Sequence, residues 1–465
     1  MISWLTAPII FIIIPLVLAI LLGLISQFRK TVIVIAAGVC LILGLFALIQ
    51  PIGVPIQAGP WTVELSGKLN ILGRSLVLTE GDRFLLVFVF CAGAIWFTGS
   101  LLAGTNRWFI HLGLVMMSVL VAAVAVEPFL YSALLVEIAV IASIPLLVSP
   151  GQKASQGVLR FLVFQTLAIP FILLAGWVLG VTGVSPAESG RVLRAGVLLG
   201  LGFAFWLGVF PFYTWIPMLA RESNPFPAGF TLTLLPGVGL YLAMSFLAAS
   251  GWVSQITTLY PVLRWVGVIM IATGGIWAAF QEDVARLLGY AVIIETGYAL
   301  VAIGLQSPLG TQIFAASYLP RLIGLALWSF ALTLLSRSRM GTGFEDLAGV
   351  IKQSRWAAVA LIVAMLSLGG LPLLAGFPLK LLLLESLGTE SLPIALWSMI
   401  GTGGFLFAAF RTIMTFARPV PAEAELMHIG RLEQFMLIAG MIVLLAIGIF
   451  PNGLLSPVGE LLLGQ

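Results

Sequence analysis

The chain has 465 residues, of which 61% are hydrophobic and 9% are charged, and its formal net charge is +4. A soluble domain carries about 25% charged residues, so this composition excludes a water-soluble globular protein. The lysines and arginines are scattered rather than clustered, which excludes a nucleic-acid-binding surface. Repeated apolar runs are each long enough to cross about 30 Å of hydrocarbon, which indicates an all-α polytopic membrane protein.

Charged residues and Pro/Gly clusters divide the chain into about fourteen predicted spans. They lie near residues 6–27, 31–50, 83–104, 108–126, 129–148, 157–182, 193–221, 225–249, 260–280, 285–305, 310–335, 356–388, 392–416 and 432–454. Segment 51–82 is the only long loop between the early spans. It contains VPIQAGPWTVEL, which favours a short hairpin outside the membrane.

The basic residues are distributed unevenly between the loops. Loops that follow odd-numbered spans hold 13 lysines and arginines, whereas loops that follow even-numbered spans hold six. Since cytoplasmic loops are enriched in Lys and Arg, this bias predicts that both termini lie on the non-cytoplasmic side of the membrane.

Some ionisable residues fall inside predicted spans or near their ends, namely Glu137, Glu295, Arg321, Lys380, Glu385 and Arg411. An ionisable group in hydrocarbon is costly unless it faces a partner or water, so each marks a candidate functional site. Glu385 and Arg411 lie close enough to span ends to reach the interface, which favours anchoring. Glu137 and Lys380 lie deeper, which favours a role in ion movement.

Residues that commonly hold metals or redox groups are scarce. Cys40 and Cys91 lie in apolar runs, and the histidines are His111 and His428. This pattern predicts no disulfide, metal site or redox motif. We therefore expect no bound cofactor in this chain.

Two predicted spans contain helix-breaking clusters, VFPFYTWIP (209–217) and LGGLPLLAGFPLK (368–380). Proline removes a backbone donor and glycine adds backbone freedom. In lipid, the carbonyls freed by such a break must be satisfied by neighbouring groups or by water in a cavity. The predicted breaking residues are Pro211, Pro217, Gly370, Pro372, Gly376 and Pro378.

The interrupted spans occupy equivalent places in two sets of five helices, spans four to eight and nine to thirteen. Because five is odd, the second set would be inverted relative to the first, and interrupted helices at corresponding positions indicate an ion or substrate route. The predicted organisation is N-terminal helices over 1–107, a first repeat over 108–250, a second repeat over 251–416 and a C-terminal helix over 417–465.

Four sequence blocks resemble the antiporter-like membrane subunits of respiratory complex I, a family shared with Mrp-type cation/proton antiporters and membrane-bound hydrogenases. The blocks are LLVEIAVIAS (134–143), GVFPFYTWIPMLARESNPFPAGF (208–230), QEDVARLLGYAVIIETGYALVAIG (281–304) and GGLPLLAGFPLK (369–380). Tyr213 stands where the family usually has histidine. The resemblance covers roughly residues 80–420, and the chain is closest in size to the smallest complex I antiporter-like subunit.

The resemblance implies a proton path along the membrane midplane. In the family, a Glu of the fifth helix, matched here by Glu137, pairs with a Lys of the seventh helix. Lysines and histidines then lead to a charge in the twelfth helix, matched here by Lys380. The seventh-helix Lys position is Trp206 in this chain, and residues 233–242, where a central Lys would fall, carry no charge.

The second half keeps more of the family pattern. Glu295 matches the position of a tenth-helix histidine, and Arg321 lies near that of an eleventh-helix histidine. We therefore expect the usual Glu–Lys cycle to be absent from the first half, and proton transfer to involve Glu295, Arg321 and Lys380.

Three functions fit this pattern. The first is a non-catalytic membrane-arm subunit of a complex I-like NAD(P)H- or ferredoxin-quinone oxidoreductase, with redox cofactors on partner subunits. The second is a subunit of a multi-subunit cation/proton antiporter, and the third is a non-pumping structural subunit of the same fold. The expected partners are other membrane subunits, lipid, and protons or Na⁺, in a bacterial inner or thylakoid-type membrane.

Overall fold

The computed structural model describes residues 6–453 apart from 59–60, 72, 149–150, 181–188, 251–255, 257, 338–340 and 420–428. A π-helical stretch over Ile9–Ile13 leads into the first helix. The first nine helices are α1 (Ile14–Leu24), α2 (Arg29–Ile49), α3 (Arg83–Ala103), α4 (Phe109–Ala125), α5 (Leu130–Leu147), α6 (Gln156–Gly180), α7 (Ser189–Leu207), α8 (Trp215–Glu222) and α9 (Pro225–Ala249). The others are α10 (Leu259–Ala279), α11 (Val284–Gly304), α12 (Pro308–Ala316), α13 (Tyr318–Ser336), α14 (Val350–Gln353), α15 (Arg355–Leu368), α16 (Phe377–Glu390), α17 (Leu392–Phe416) and α18 (Arg431–Ile449).

Each of the fourteen predicted spans overlaps at least one of these helices. In the part of the chain that the structure describes, eleven helical segments are long and apolar enough to cross a membrane, and three shorter apolar helices accompany them. The predicted span over 310–335 corresponds to α12 and α13, which together form one segment long enough to cross a membrane and are separated at Ser317. Pro320 lacks the N–H that would continue the α-helical bonding to the Ala316 carbonyl.

The loop at 51–82 forms two hairpins. β1 (Ile56–Ala58) pairs with β2 (Trp61–Val63), and this hairpin lies within the predicted VPIQAGPWTVEL segment. β3 (Lys68–Ile71) pairs with β4 (Arg74–Val77), which also pairs with the short β5 (Val126–Glu127). This second sheet joins the loop to the start of the first five-helix set.

Small residues allow the helices of the second set to pack backbone against backbone. A methyl group on Gly275 of α10 would collide with the carbonyl group of Gly401 in α17. A methyl group on Gly267 of α10 would lie 2.5 Å from the Gly297 carbonyl oxygen of α11. Such close approach is typical of membrane helices, whose association relies on packing rather than on a hydrophobic effect between helices.

α11 lies at the centre of the molecule and is buried along its whole length. It packs against α10 and α17 of its own set and against α8 of the first set. At the contact with α8, a methyl group on Gly289 would lie 2.6 Å from Pro217 Cα. The two five-helix sets are therefore tightly joined through α8 and α11.

Candidate functional site

The second broken helix frees a backbone carbonyl beside the predicted lysine. α15 ends at Leu368, and its carbonyl would be bonded by the N–H of residue 372 if the helix continued. Residue 372 is proline, which has no N–H. Gly370 turns the chain with a φ of 72°, and α16 begins at Phe377, directly after Gly376. Pro378 is the second residue of α16, where proline is compatible with a helix start, so it does not itself break the helix.

Lys380 fills the space left by this break. Its Nζ lies 2.7 Å from Glu295 Oε1 and donates a hydrogen bond to the Leu368 carbonyl. The Glu295 contact is an ion pair between side chains of α16 and α11. Lys380 is 7% exposed and Glu295 is 8% exposed. The structure thus brings two predicted site residues from different helices into one buried pair.

Two further side chains arrange the surroundings of the pair. Tyr298 follows Glu295 by three residues on α11 and therefore shares its face of the helix. The Lys380 Nζ lies 4.7 Å from the centre of the Tyr298 ring, within the range of a cation–π interaction. The Tyr298 hydroxyl forms a hydrogen bond with Thr402 of α17, which fixes the ring beside the ammonium.

A small cavity adjoins the ion pair. It has a volume of about 20 Å³ and is lined by Glu295, Tyr298, Ser317 and Lys380, among others. A cavity needs roughly 10–15 Å³ to hold one water, together with polar partners. The space beside the pair therefore suits about one water molecule, which could relay a proton.

Arg321 lies near this pair, and among the described residues it forms no ion pair with Glu295. It follows the break between α12 and α13, and it is 2% exposed. One terminal nitrogen lies 3.4 Å from Thr296 Oγ1, while its Nε has no hydrogen-bond partner. The guanidinium interacts electrostatically with the Glu295 carboxylate. Glu295 is therefore influenced by two cations from different helices.

The first broken helix has a similar backbone path, but the side chains at its break are uncharged. α7 ends at Leu207, Gly208 has a φ of 60°, and Pro211 precedes a short 3₁₀ turn over Phe212–Thr214. Pro217 is the third residue of α8. The prediction that Pro217 breaks the helix was therefore wrong, because the first turn of a helix tolerates a missing N–H.

Aromatic rings and an amide lie at the end of α7 beside the first break. Trp206 is 3% exposed and its ring packs on Phe203, with centroids 5.6 Å apart. Phe205 packs on Phe212 at 4.4 Å. The Trp206 carbonyl, next to the end of α7, accepts a hydrogen bond of 3.1 Å from Gln165 Nε2 of α6.

Glu137 is half-buried on α5, and its partner is a hydroxyl group. Thr166 Oγ1 donates a hydrogen bond of 2.6 Å to Glu137 Oε1, while the buried Oε2 has no partner. Among the described residues, no cation forms an ion pair with Glu137. The structure therefore does not join Glu137 to the buried cluster around Lys380.

The remaining predicted residues lie outside this cluster. Arg411 donates a hydrogen bond of 2.6 Å to the Ala279 carbonyl at the end of α10, and it pairs with Glu282 at 3.3 Å. Glu385 is exposed on α16. His111 is buried near the start of α4, whereas His428 lies outside the described residues.

Sequence reasoning did not identify Tyr298, Thr402 or Gln165. Tyr298 belongs to the Gly-Tyr pair of the third family-like block, which was a usable signal. Thr402 and Gln165 have no such signal, because a single polar residue in an apolar helix does not reveal which neighbour it faces.

Comparison with known proteins identifies the family. The family described as "NADH:quinone oxidoreductase/Mrp antiporter, TM" matches residues 130–408, more than half of the chain. The chain is 27% identical over 269 residues to "NADH-quinone oxidoreductase subunit N" of Laribacter hongkongensis, covering 56% of this chain and 54% of that protein. It is 27% identical over 342 residues to the protein of the same name from Cupriavidus taiwanensis, covering 66% of this chain and 67% of the relative. The chain thus spans about half to two thirds of the length of these relatives.

Solved structures share the fold at low sequence identity. A chain of the Mrp complex from Dietzia sp. superposes with a TM-score of 0.81 at 17% identity, covering 98% of this chain and 96% of that one. A chain of respiratory complex I from Thermus thermophilus superposes with a TM-score of 0.78 at 19% identity, covering 96% and 97%. The family match and these folds confirm the predicted architecture of a multi-pass membrane subunit, and the chain belongs to the NADH:quinone oxidoreductase/Mrp antiporter membrane subunit family.

Proposed function

We propose that this chain is a membrane-arm subunit of a complex I-like quinone oxidoreductase, and that protons are transferred through its second five-helix set. The buried contact between Lys380 and Glu295 carries this proposal. Breaking a buried pair leaves an uncompensated charge and is strongly destabilising. A buried Lys–Glu pair beside a helix break and a water-sized cavity is therefore suited to a regulated proton site.

Arg321 gives the cluster a positive charge that stays constant when Lys380 gains or loses a proton. A guanidinium keeps its proton in proteins, whereas a lysine ammonium can lose one. With Glu295 ionised, the three side chains carry a net charge of +1 when Lys380 is protonated and zero after it releases its proton. In both states Arg321 offsets the Glu295 carboxylate, so Lys380 can cycle without leaving a lone buried anion.

The break beside Lys380 supplies an alternative partner for the ammonium. The Leu368 carbonyl accepts from Lys380, and the Tyr298 ring lies on another side of Nζ. A small movement of α16 relative to α11 would exchange the carboxylate for these neutral groups. Such an exchange changes how strongly the proton is held, which is the requirement for uptake and release.

We propose that the first five-helix set has no buried ion pair equivalent to that of Lys380 and Glu295. Trp206 occupies the position of the expected lysine, and Glu137 accepts a hydroxyl hydrogen bond in place of a cation. Proton transfer would therefore depend on the second set alone. The chain would reside in a bacterial inner membrane with both termini on the non-cytoplasmic side, and other membrane subunits would complete the complex.

The decisive experiment replaces Lys380 in the assembled complex. Lys380→Met removes the charge, whereas Lys380→Arg keeps the charge but holds its proton. In closed vesicles, we expect both variants to lower the number of protons pumped per electron transferred. Glu385→Gln provides the control, because it changes an exposed charge on the same helix.

The outcomes separate the candidate functions. If Lys380→Arg pumps normally, Lys380 acts as a fixed charge and the proton-transfer proposal is wrong. If neither variant changes pumping, the chain is a structural subunit. If the chain purifies from native membranes without quinone-reducing partners and exchanges Na⁺ for protons, it is an antiporter subunit instead.

A further inference from the structure

We propose that the groove between α2 and α18 binds one acyl chain of an anionic phospholipid. The groove has a volume of about 450 Å³. α2 and α18 form its two walls, and α3 and α13 form its floor. Representative lining residues are Ala37, Gly38, Leu41, Leu327, Phe435 and Ala439.

The chemistry of the lining suits a hydrocarbon chain. The residues that line the groove are apolar except for Thr98, and the Thr98 hydroxyl donates to the Ala94 carbonyl of its own helix at 2.7 Å. No donor or acceptor of Thr98 therefore requires water. An apolar cleft in a membrane-spanning region is filled by apolar groups, because each empty space sacrifices dispersion contacts.

Charge at one end of the groove complements a lipid headgroup. Lys30 precedes Ala37 by seven residues and Leu41 by eleven, so it lies on the face of α2 that lines the groove. Arg431 precedes Phe435 by four residues, so it lies one turn before the edge of the lining face of α18. Both side chains are exposed, and neither forms an ion pair within the described residues.

These two cations lie at the same membrane surface. α2 and α18 begin after the first and thirteenth predicted spans, so an even number of crossings separates their first residues. Lys30 and Arg431 therefore flank the groove from one side of the bilayer. A basic residue near the surface attracts anionic lipids.

The charge at the end of the groove favours a lipid over an apolar helix of a partner, because an anionic headgroup can meet the exposed Lys30. A Cβ added to Gly38 would meet no atom within 4 Å, so the space beside α2 is open.

The test uses the complex that contains the full chain, reconstituted in vesicles of phosphatidylcholine and phosphatidylglycerol. One of the two lipids carries a photoactivatable diazirine on its acyl chain, and mass spectrometry maps the labelled peptides. Gly38→Leu adds an apolar side chain to the groove at a position where a Cβ meets no atom within 4 Å. Gly403→Leu is the matched control, because a Cβ on this helical glycine of α17 also meets nothing within 4 Å.

We expect labelled phosphatidylglycerol to modify peptides of α2 and α18 in the wild type and in Gly403→Leu, and to lose this labelling in Gly38→Leu. The Lys30→Ala/Arg431→Ala variant should lower the preference for phosphatidylglycerol over phosphatidylcholine on the order of tenfold. Labelling that is unchanged by Gly38→Leu would overturn the proposal. So would equal labelling by both lipids in the wild type, or a direct crosslink between groove residues and a helix of another subunit. None of these outcomes depends on proton pumping.

Discussion

In both broken helices, a backbone carbonyl near the helix end accepts a hydrogen bond from a side chain, but the two side chains differ. In the first, the Trp206 carbonyl near the end of α7 accepts from the Gln165 amide. In the second, the Leu368 carbonyl at the end of α15 accepts from the Lys380 ammonium. Both breaks thereby satisfy backbone oxygens that could not bond to lipid. The comparison teaches that a broken helix provides only the space, and that the side chain placed there decides whether the space can carry charge.

The surroundings of the two breaks differ accordingly. The ammonium at the second break requires a carboxylate, which α11 supplies through Glu295. The amide at the first break requires none, and the aromatic side chains near this break pack against one another, Phe203 on Trp206 and Phe205 on Phe212. The four predictions below test this difference, and each is measured as a change in the free energy of unfolding of the purified protein.

The largest effect is expected for Glu295→Gln. This change leaves the Lys380 ammonium buried without its carboxylate and should destabilise the protein by about 3–5 kcal/mol. The Glu295→Gln/Lys380→Met double variant removes both charges and should be more stable than Glu295→Gln alone. A double variant less stable than the single one would contradict the electrostatic account.

Gln165→Leu tests the neutral break. The Trp206 carbonyl would lose its buried donor, which should cost about 1–3 kcal/mol. Gln281→Leu is the control, because Gln281 donates to a carbonyl in an exposed position and its loss should cost less than about 0.5 kcal/mol. Equal effects of the two changes would show that the first break does not depend on the Gln165 amide.

Gly370→Ala tests the turn that makes room for Lys380. Gly370 has a φ of 72°, and a left-handed conformation costs a non-glycine residue about 1–2 kcal/mol. The added methyl would also lie 3.0 Å from Lys380 Cδ. Gly403→Ala, in an open helical position, should instead be neutral or slightly stabilising. Comparable effects at both glycines would refute a special role for the turn.

The smallest effect is expected for Glu137→Gln. The amide oxygen can still accept the Thr166 hydroxyl, so stability should change by less than about 1 kcal/mol. Pumping by the assembled complex should also remain, in contrast to Glu295→Gln, which should lower it. Loss of pumping in Glu137→Gln would show that the first five-helix set takes part after all.

Much of the fold could be predicted from the sequence because apolar runs and breaking residues are local signals. The two breaks follow from Pro211, Pro372 and their neighbouring glycines. The break at Ser317 was missed although Pro320 offered a signal, since the surrounding apolar run looked continuous. Pro217 and Pro378 were assigned as breaks because composition does not distinguish a helix start from a helix interruption.

The sequence was a poorer guide to which charged residues of the site contact one another. α11 is buried on all sides, so its sequence has no polar face to indicate the direction of Glu295. Whether Glu295 meets Lys380, Arg321 or neither depends on the rotation of α11 and on the displacement of α16 by the break. The charged residues inside apolar spans could therefore be identified from the sequence, whereas the packing of the helices determines which of these residues touch.

The contact between Gly289 and Pro217 has a mechanical consequence. Gly289 and Glu295 are six residues apart on one continuous helix, about 9 Å along its axis. Because the contact is already at the limit of close packing, α8 cannot move toward α11 without shifting or bending it. A displacement of α8, which follows the first break, would therefore be passed along α11 toward the carboxylate paired with Lys380.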